Sequence, residues 1–199
     1  MSAVPPKLLS LVFLLDPPTR RVLLGKKKRG FGAGKINGFG GKLEAGETMP
    51  ECAARELEEE SGVSVPVDKM YARGRLCFNM LTDGMVDKAT GVVANKLLVH
   101  VFTASLADTT GEIAESDEMQ PEWWQWDEIP LDRMWLDDRF WLPILLSGKD
   151  IVGEFVFENA ETIRTHKVLS LPVGAYSENP AKHEAEVLLD DDHDHDMGA

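Results

Sequence analysis

The chain has 199 residues, 43% of them hydrophobic and 28% charged, and its formal net charge at pH 7 is −13. This size and apolar content are typical of one soluble globular domain. The acidic balance argues against a protein that binds polymeric nucleic acid, which would present a basic surface. No apolar run approaches the ~18 residues of a membrane span, and the apolar start, interrupted by Pro5 and Pro6, lacks the features of a signal peptide.

The chain has only two cysteines, Cys52 and Cys77. Two cysteines in a chain of this length provide no disulfide framework, and they indicate a reducing compartment. We therefore expect the protein in the cytoplasm, with the nucleus and the mitochondrion as further locations.

Two short runs at the start of the chain, 8–15 and 21–24, are rich in Val and Leu and flank Pro17-Pro18. This pattern predicts a β-hairpin. Two glycine-rich stretches follow at 30–34 and 38–41. They predict loops whose backbone needs a positive φ or a close approach to a ligand.

A helix is predicted directly after these loops. Thr48 can cap its start, Ala53, Ala54 and Leu57 are good helix formers, and Gly62 can end it. Cys52 falls within this helix.

Three carboxylates are expected to share one face of that helix, because Glu56, Glu59 and Glu60 stand at positions i, i+3 and i+4. Like charges at this spacing repel each other. The face is therefore either a solvated acidic surface or the binding site of a divalent cation, which prefers oxygen ligands.

The second half of the chain predicts further strands and one helix. Strands are expected at 73–80, 96–102 and 123–126, a helix at 140–146, and a hairpin at 152–158 and 162–168, while 81–95 carries turn signals. Pro143 requires that the helix begin close by or be kinked. Helices interleaved with a mixed sheet predict an α/β fold, an α/β/α sandwich around a mixed β-sheet.

The end of the chain is strongly acidic. Residues 177–199 hold eight acidic residues against Lys182 alone, a net charge of −7 that leaves −6 for the first 176 residues. The segment has few apolar residues and no periodicity, so we expect one domain over 1–176 and a disordered tail over 177–199. His193 and His195 alternate with Asp and could bind a metal, although no framework fixes their geometry.

The 23 residues 41–63 resemble the Nudix box at every fixed position: Gly, Glu, Arg-Glu, an aliphatic residue, Glu-Glu, Gly and an aliphatic residue at the family's spacing. The matching residues are Gly41, Glu47, Arg55, Glu56, Leu57, Glu59, Glu60, Gly62 and Val63. The resemblance implies a loop–helix–loop that holds Mg²⁺, with Mn²⁺ as a substitute. It also implies cleavage of a nucleoside diphosphate linked to another group.

From about residue 8 to 168 the chain also resembles the eukaryotic branch of this family that hydrolyses oxidised purine nucleoside triphosphates, the MutT-homologue type. The matching segments outside the box are 21–25, 28–34, 37–42, 115–119 and 134–143. The resemblance implies a monomer that acts on a small nucleoside triphosphate, such as 8-oxo-dGTP or 2-hydroxy-dATP. The products are the monophosphate and pyrophosphate, and the nucleotide pool is thereby protected from mutagenic bases.

The same resemblance implies where the base binds. The base would lie in a pocket between Asn37, an aromatic wall and an Asp pair. Asp137 and Asp138 would read its edge, and Trp135 would stack on its face. Two adjacent carboxyl groups in an apolar pocket cannot both ionise cheaply, so one should keep a proton, and moving that proton would let the pair fit more than one base. The full set of expected substrate contacts is Ser10, Lys27, Asn37, Phe39, Gly40, Gly41, Lys42, Phe78, Trp135, Asp137, Asp138 and Trp141, with Ser10 near the base.

The expected catalytic residues are Arg55, Glu56, Glu59, Glu60 and Glu118. The carboxylates and the backbone carbonyl of Gly40 would bind the metal, and Glu60 or Glu118 would act as general base. Arg55 would pair with a helix glutamate and orient it, while Glu47 would anchor the loop.

Other interpretations remain open at this stage. Asp137 or Asp138 could simply cap the following helix, Trp135 and Trp141 could be core residues, and Glu118 could be one more exposed acid. The chain could act on another nucleoside diphosphate derivative or on a methylated purine nucleotide, or it could be a nucleotide-binding module without activity. It departs from the animal proteins at Ile36, where they have Trp, at Met80, where they have Phe, and in a longer 81–95 connection, all of which bear on base preference.

Overall fold

The computed structural model of the protein describes residues 5–81, 85–86 and 93–187. Its strands are β1 (Lys7–Asp16), β2 (Arg21–Lys27), β3 (Ile36–Asn37), β4 (Val63–Ser64), β5 (Tyr71–Met80), β6 (Met85–Val86), β7 (Val93–Ala94), β8 (Lys96–Ser105), β9 (Thr110–Gly111), β10 (Met119–Gln125), β11 (Asp150–Asn159) and β12 (Thr162–Leu171). Its α-helices are α1 (Met49–Ser61), α2 (Asp138–Leu146), α3 (Ala175–Glu178) and α4 (Pro180–Val187). Among the helices of these described ranges, none combines the length and the apolar character that crossing a bilayer requires.

One mixed sheet forms the centre of the fold, with the strand order β10-β2-β1-β8-β5-β11-β12 and β3 beside β2. β1 runs parallel to β8 and β5 parallel to β11, while the other neighbours along this order are antiparallel. The first and last hairpins and the strands between them are therefore confirmed, with ends that differ from the predicted ones by a few residues.

The sheet is covered on both faces, as the composition of β1 shows. Leu11 and Phe13 belong to a core with Trp141 and Leu142 of α2, whereas Val12 and Leu14 belong to a second core with Leu57 of α1. Side chains of a strand alternate between faces, so a strand buried on both sides is an unbroken apolar run. The predicted α/β/α sandwich is confirmed.

The ends of α1 are where the sequence predicts them. The Thr48 N–H donates to the Glu51 carboxylate at 2.7 Å and the Thr48 hydroxyl accepts from the Glu51 N–H at 3.5 Å, which is a capping box. Gly62 ends the helix in the left-handed conformation, with φ 79°, and its N–H donates to the Glu58 carbonyl. These caps fix both ends of the helix that carries the carboxylates.

Helix α2 begins at Asp138, two residues before the predicted start, and includes Pro143. Since α2 packs its apolar side on the sheet, tertiary burial outweighs the local cost of an interior proline.

The prediction that 177–199 is disordered is wrong for its first part. Helices α3 and α4 pack on the sheet, where Tyr176 and Val187 are buried with Val152 and Leu171. Ala72 contacts both this cluster and the core under α1, so α3 and α4 lie on the same face of the sheet as α1.

Polar contacts also hold these helices to the sheet. Arg75 of β5 lies 2.8 Å from Glu184 of α4, and the Tyr176 hydroxyl donates to the same carboxylate at 2.9 Å. Local composition could not reveal this, because the partners are distant in sequence. The part of the prediction that concerns 188–199 lies outside the described residues.

Removal of residues 178–199 should therefore destabilise the protein. The truncation deletes Val187 and leaves Arg75 and Tyr176 without Glu184, a loss of about 3–5 kcal/mol. For a domain of this size we expect the melting temperature to fall by roughly 5–20 °C. The matched control ends the chain after Val187 and keeps α4. Equal melting temperatures for the two truncated proteins would contradict the docked helix.

Candidate active site

A cavity of about 1040 Å³ brings together residues that the sequence analysis selected from distant parts of the chain. The predicted residues that line it are Ser10, Lys27, Asn37, Gly40, Gly41, Lys42, Arg55, Glu56, Glu59, Glu60, Phe78, Glu118, Trp135, Asp137, Asp138 and Trp141. Helix α1 and the glycine-rich stretch 38–41, called here the glycine loop, provide a carboxylate-rich end. The segment before α2, with β5, provides an aromatic end that holds the Asp pair.

The loop before α1 is held against β1 by backbone hydrogen bonds. Ser10 donates to the Gly41 carbonyl at 2.9 Å, and Val12 and Phe39 exchange two bonds. The Glu56 carboxylate lies directly over Gly41, where an added Cβ would stand 2.3 Å from Oε1. Glycine at this position therefore allows the helix carboxylate to reach the loop backbone.

Arg55 organises the carboxylate end. Its guanidinium donates to Glu47 at 2.8 and 3.1 Å, to Glu56 at 2.9 Å and to Glu59 at 3.3 Å, and it also reaches the Lys42 carbonyl at 3.2 Å. This Arg55 pairing lowers the pKa of Glu47 to about 2, and Glu47 in turn accepts from the Glu44 N–H. The predicted pairing of Arg55 with a helix glutamate and the anchoring of the loop by Glu47 agree with these contacts.

Glu56 and Glu60 line the cavity wall, where burial disfavours the charged form of each carboxylate. Burial raises the pKa of Glu60 to about 7, against the hydrogen bond that Glu60 accepts from the Gly40 N–H at 2.9 Å. Burial also raises the pKa of Glu56, despite the neighbouring Arg55. The charge of Glu118 raises both pKa values further, so Glu118 lies close enough to act electrostatically on the helix face.

These residues fit a divalent cation by their chemistry, because they are carboxylates whose negative charges oppose each other in a partly buried wall. Within 5–81, 85–86 and 93–187, however, no three His, Cys, Asp or Glu side chains are arranged closely enough to enclose an ion. Glu56 and Glu59 are bonded to Arg55 and Glu60 to the loop backbone instead. The predicted tail site at His193 and His195 lies outside the described residues.

The Asp pair lies at the other end of the cavity and is almost fully buried. Oδ2 of Asp137 accepts from the Trp141 indole N–H at 2.9 Å, and Oδ2 of Asp138 accepts from the Trp135 backbone N–H at 2.8 Å. Asp137 holds the position before α2 but makes no side-chain capping bond, and Trp135 precedes the helix. The interpretation of these residues as simple helix caps is therefore wrong.

Burial dominates the ionisation of the pair. It raises the pKa of Asp137 to about 6, and burial together with the charge of Asp137 raises the pKa of Asp138 well above its usual value. Lys35 opposes both shifts. Burial and the repulsion between the two charges therefore favour a proton on the pair, which is what two adjacent buried carboxyl groups are expected to hold.

Two residues that the sequence analysis did not select contact Trp135. Phe31 stacks on its ring with centroids 5.0 Å apart, and Lys35 Nζ lies 4.9 Å from the ring centre. Both line the cavity. A Cβ at Gly32 would stand 2.6 Å from the Trp135 ring, so Gly32 was the sequence signal of this close contact.

Three predicted substrate contacts need correction or refinement. Phe39 is fully buried in the core under α1 because it pairs with Val12 of β1, so its assignment as a substrate contact is wrong. The Ser10 hydroxyl accepts from the Cys52 thiol at 3.3 Å and from the Gly41 N–H at 3.5 Å, which places it at the α1 end rather than beside the Asp pair. Trp141 borders the cavity but is only 1% exposed, so it supports Asp137 from behind.

The NUDIX domain model matches residues 7–144, which contain β1, the glycine loop, α1 and most of α2. The chain belongs to the NUDIX family. It is 44% identical over 162 residues to the oxidized purine nucleoside triphosphate hydrolase of Danio rerio and 42% identical over 163 residues to that of Mus musculus. Each alignment covers 81% of this chain and 94% of the relative.

Among solved structures, this NUDIX protein is similar to a MutT protein from Bacillus halodurans, with a TM-score of 0.64. The match covers 81% of this chain and 97% of that one at 24% identity, so it supports the fold. Enzymes of the NUDIX family generally need a divalent metal ion. The region matched by the family model ends at residue 144, before β11, β12, α3 and α4.

Proposed function

We propose that this NUDIX protein hydrolyses oxidised purine nucleoside triphosphates, such as 8-oxo-dGTP and 2-hydroxy-dATP, to the monophosphate and pyrophosphate. The observation that carries the proposal is that one cavity holds both the α1 carboxylates and a buried Asp pair whose pKa values are raised by burial. The first set suits a polyphosphate with its cation, and the second suits the edge of a purine. The zebrafish and mouse relatives, which carry this activity in their names, support it.

The base end would recognise a modified purine through hydrogen bonds of both kinds. Each Asp uses one oxygen for a structural bond and keeps the other for a ligand. Asn37 accepts from the Gly38 N–H at 2.9 Å through Oδ1, which leaves its Nδ2 as a donor toward the cavity that it lines. A protonated carboxyl, a carboxylate and an amide together can match the altered donors and acceptors of an oxidised base.

The carboxylate end would position and cleave the polyphosphate. Glu56, Glu59, Glu60, Glu118 and the Gly40 carbonyl would hold Mg²⁺, which when bound neutralises phosphate charge and lowers the pKa of water. Arg55 fixes the orientation of Glu56 and Glu59 on the helix. Glu60 or Glu118 would take the proton from the attacking water. Burial raises the pKa of Glu60 to about 7 without the ion, and a cation bound beside it would lower that pKa.

The protein would act as a monomer in a reducing compartment, the cytoplasm first and the nucleus or mitochondrion as further locations. One chain supplies both the carboxylate end and the base end of the proposed site, so the site does not require a second chain. Cys52 and Cys77 are buried and unpaired, which suits such a compartment. The net charge of −13 supports a small nucleotide rather than polymeric nucleic acid as the partner.

The proposal is tested by a panel of nucleotides with Mg²⁺: 8-oxo-dGTP, 2-hydroxy-dATP, a methylated purine dNTP, dGTP and a nucleoside diphosphate sugar. The measurements are kcat/KM for each and release of pyrophosphate. We expect the two oxidised purines to have the highest kcat/KM. A preference for the methylated purine or the diphosphate sugar would overturn the substrate assignment. Tight binding without turnover would indicate a nucleotide-binding module instead.

Trp135→Ala should raise KM for all purine substrates by a similar factor. Stacking on an aromatic ring contributes ~1–3 kcal/mol and depends little on the groups at the base edge, so the expected increase is roughly 5- to 150-fold. Trp135→Phe keeps a ring beside Phe31, so its KM should be close to that of the unmodified protein. The stacking role is wrong if Trp135→Ala leaves KM unchanged but removes the difference in kcat/KM between 8-oxo-dGTP and dGTP.

A further inference from the structure

Three consecutive basic residues at the end of β2 face the acidic loop that precedes β10. Arg29 lies 2.9 Å from Oε1 of Glu118, Lys27 lies 3.8 Å from Oε2 of the same carboxylate, and Lys28 lies 2.6 Å from Glu115. Each oxygen of Glu118 therefore faces a different cation.

These ion pairs differ in where they lie. Arg29, Lys27 and Glu118 line the cavity, whereas Lys28 and Glu115 do not. The backbone of Lys28 donates to the Glu118 carbonyl at 2.8 Å, and its ammonium donates to the Ser116 carbonyl at 2.8 Å. The backbone hydrogen bond from Lys28, which a change of its side chain keeps, thus joins the two loops outside the cavity, so the loops do not need the Arg29–Glu118 pair for their attachment.

Glu118 is placed between two sets of charges. Lys27 and Arg29 attract it from the β2 side, while its own charge raises the pKa of Glu56 and Glu60 across the cavity. A cation among the carboxylates would attract Glu118 away from Arg29. A polyphosphate would compete with Glu118 for the same guanidinium, since arginine binds phosphate oxygens through paired hydrogen bonds.

We propose that Arg29 is a polyphosphate-binding residue that Glu118 masks until substrate arrives. On binding, the phosphate oxygens replace the Glu118 carboxylate on Arg29. This assignment rests on the proposed function, and it adds Arg29 and the exchange of partners.

The exchange costs little. The side chains of Arg29 and Glu118 are 60% and 46% exposed, and exposed ion pairs contribute little to stability because water competes for both charges. Both side chains are also at the cavity wall, so the exchange needs only rotation of side chains.

The test measures binding of 8-oxo-dGTP, 8-oxo-dGMP and inorganic tripolyphosphate in EDTA, where no metal-dependent turnover interferes. Arg29→Gln should weaken both ligands that carry a polyphosphate by about 10-fold and change the monophosphate by less than about 2-fold. Lys28→Gln, which removes a neighbouring charge outside the cavity, is the matched control and should change all three affinities by less than about 2-fold. Arg29→Lys should recover part of the loss.

Glu118→Gln gives the sharper result. Because a neutral amide holds Arg29 less strongly than a carboxylate does, this variant should bind tripolyphosphate about 3-fold more tightly, and the gain should shrink in the Arg29→Gln background. Equal losses of monophosphate and triphosphate affinity in Arg29→Gln, or a Glu118→Gln gain that is the same in both backgrounds, would overturn the masking. Tripolyphosphate carries no base, so its binding tests the masking of Arg29 alone. If the oxidised-purine assignment is wrong, 8-oxo-dGMP should bind weakly while the expected effects of both substitutions on tripolyphosphate affinity are still observed.

Discussion

Glu60→Gln should lower kcat with Mg²⁺ by at least about 100-fold and leave the protein folded. General bases contribute about 10²- to 10⁴-fold to catalysis, and loss of a metal ligand would add to that effect. Glu60 is buried, lines the cavity, and accepts a hydrogen bond from the Gly40 N–H that an amide oxygen can still accept. The substitution therefore removes a charge while keeping the shape and the contact with the loop.

The effect on stability should be opposite in sign to the effect on activity. Burial raises the pKa of Glu60 from 4.5 to about 7, so the folded metal-free protein loses stability as pH rises through that range and the carboxyl ionises. A neutral amide avoids this loss. The melting temperature of Glu60→Gln in EDTA at pH 8 should thus equal or exceed that of the unmodified protein.

Glu58→Gln is the matched control, because Glu58 lies on the same helix but is exposed to solvent. It should leave kcat within about 2-fold, as surface substitutions usually do. A Glu60→Gln variant with near-normal kcat would remove Glu60 from the catalytic assignment and leave Glu118 as the candidate base. A fall in kcat accompanied by a lower melting temperature would indicate a structural role instead.

The sequence predicted the catalytic helix well because the signals there are local. Thr48, Glu51 and Gly62 determine the ends of α1 within a few residues of chain, and the spacing of Glu56, Glu59 and Glu60 determines their common face. The glycine loop was also predicted, since its residues are close to the helix in sequence. Its individual side chains were not, because Phe39 turns to the core only through its pairing with Val12 of β1.

What the sequence could not predict depends on contacts between distant segments. The composition of 177–187 is that of a solvated tail, yet Tyr176 and Val187 are spaced so that both reach the sheet, and Glu184 meets Arg75 more than 100 residues earlier. The Arg29–Glu118 pair is of the same kind. A basic residue in an acidic chain has many possible partners. Its actual partner can be identified only from the strand order, which here places β2 beside β10.

Asp137→Asn and Asp138→Asn should each shift the preference among purine bases by roughly 5- to 150-fold, with a smaller change in turnover of the best substrate. The estimate corresponds to about 1–3 kcal/mol for one hydrogen bond in a buried site. Both residues receive a structural hydrogen bond on one oxygen, from the Trp141 indole at Asp137 and from the Trp135 backbone at Asp138. An asparagine can accept the same bond with its amide oxygen, so its NH₂ group becomes a permanent donor toward the cavity.

A carboxyl group can change between hydrogen-bond donor and acceptor by gaining or losing a proton, whereas an amide NH₂ group is always a donor. In the unmodified protein burial and the charge of Asp137 raise the pKa of Asp138, and Asp137, with a pKa of about 6, gains a proton as pH falls through 6. As pH falls through about 6, the pair therefore gains a hydrogen-bond donor and loses an acceptor at Asp137. The ratio of kcat/KM for 8-oxo-dGTP to that for 2-hydroxy-dATP should change across this range, and Asp137→Asn should abolish the change near pH 6.

The measurement is kcat/KM for 8-oxo-dGTP, 2-hydroxy-dATP and dGTP from pH 5 to 8 in the unmodified protein and both variants. Lys35→Met provides an independent control, because Lys35 lowers the pKa of both aspartates and its removal should shift the change in preference to higher pH. Equal losses for all three substrates, with a ranking that does not vary with pH, would mean that the pair supports the fold without reading the base. A ranking that changes with pH equally in Asp137→Asn would mean that another group titrates, and the proton held between these two buried carboxyl groups would not set base preference.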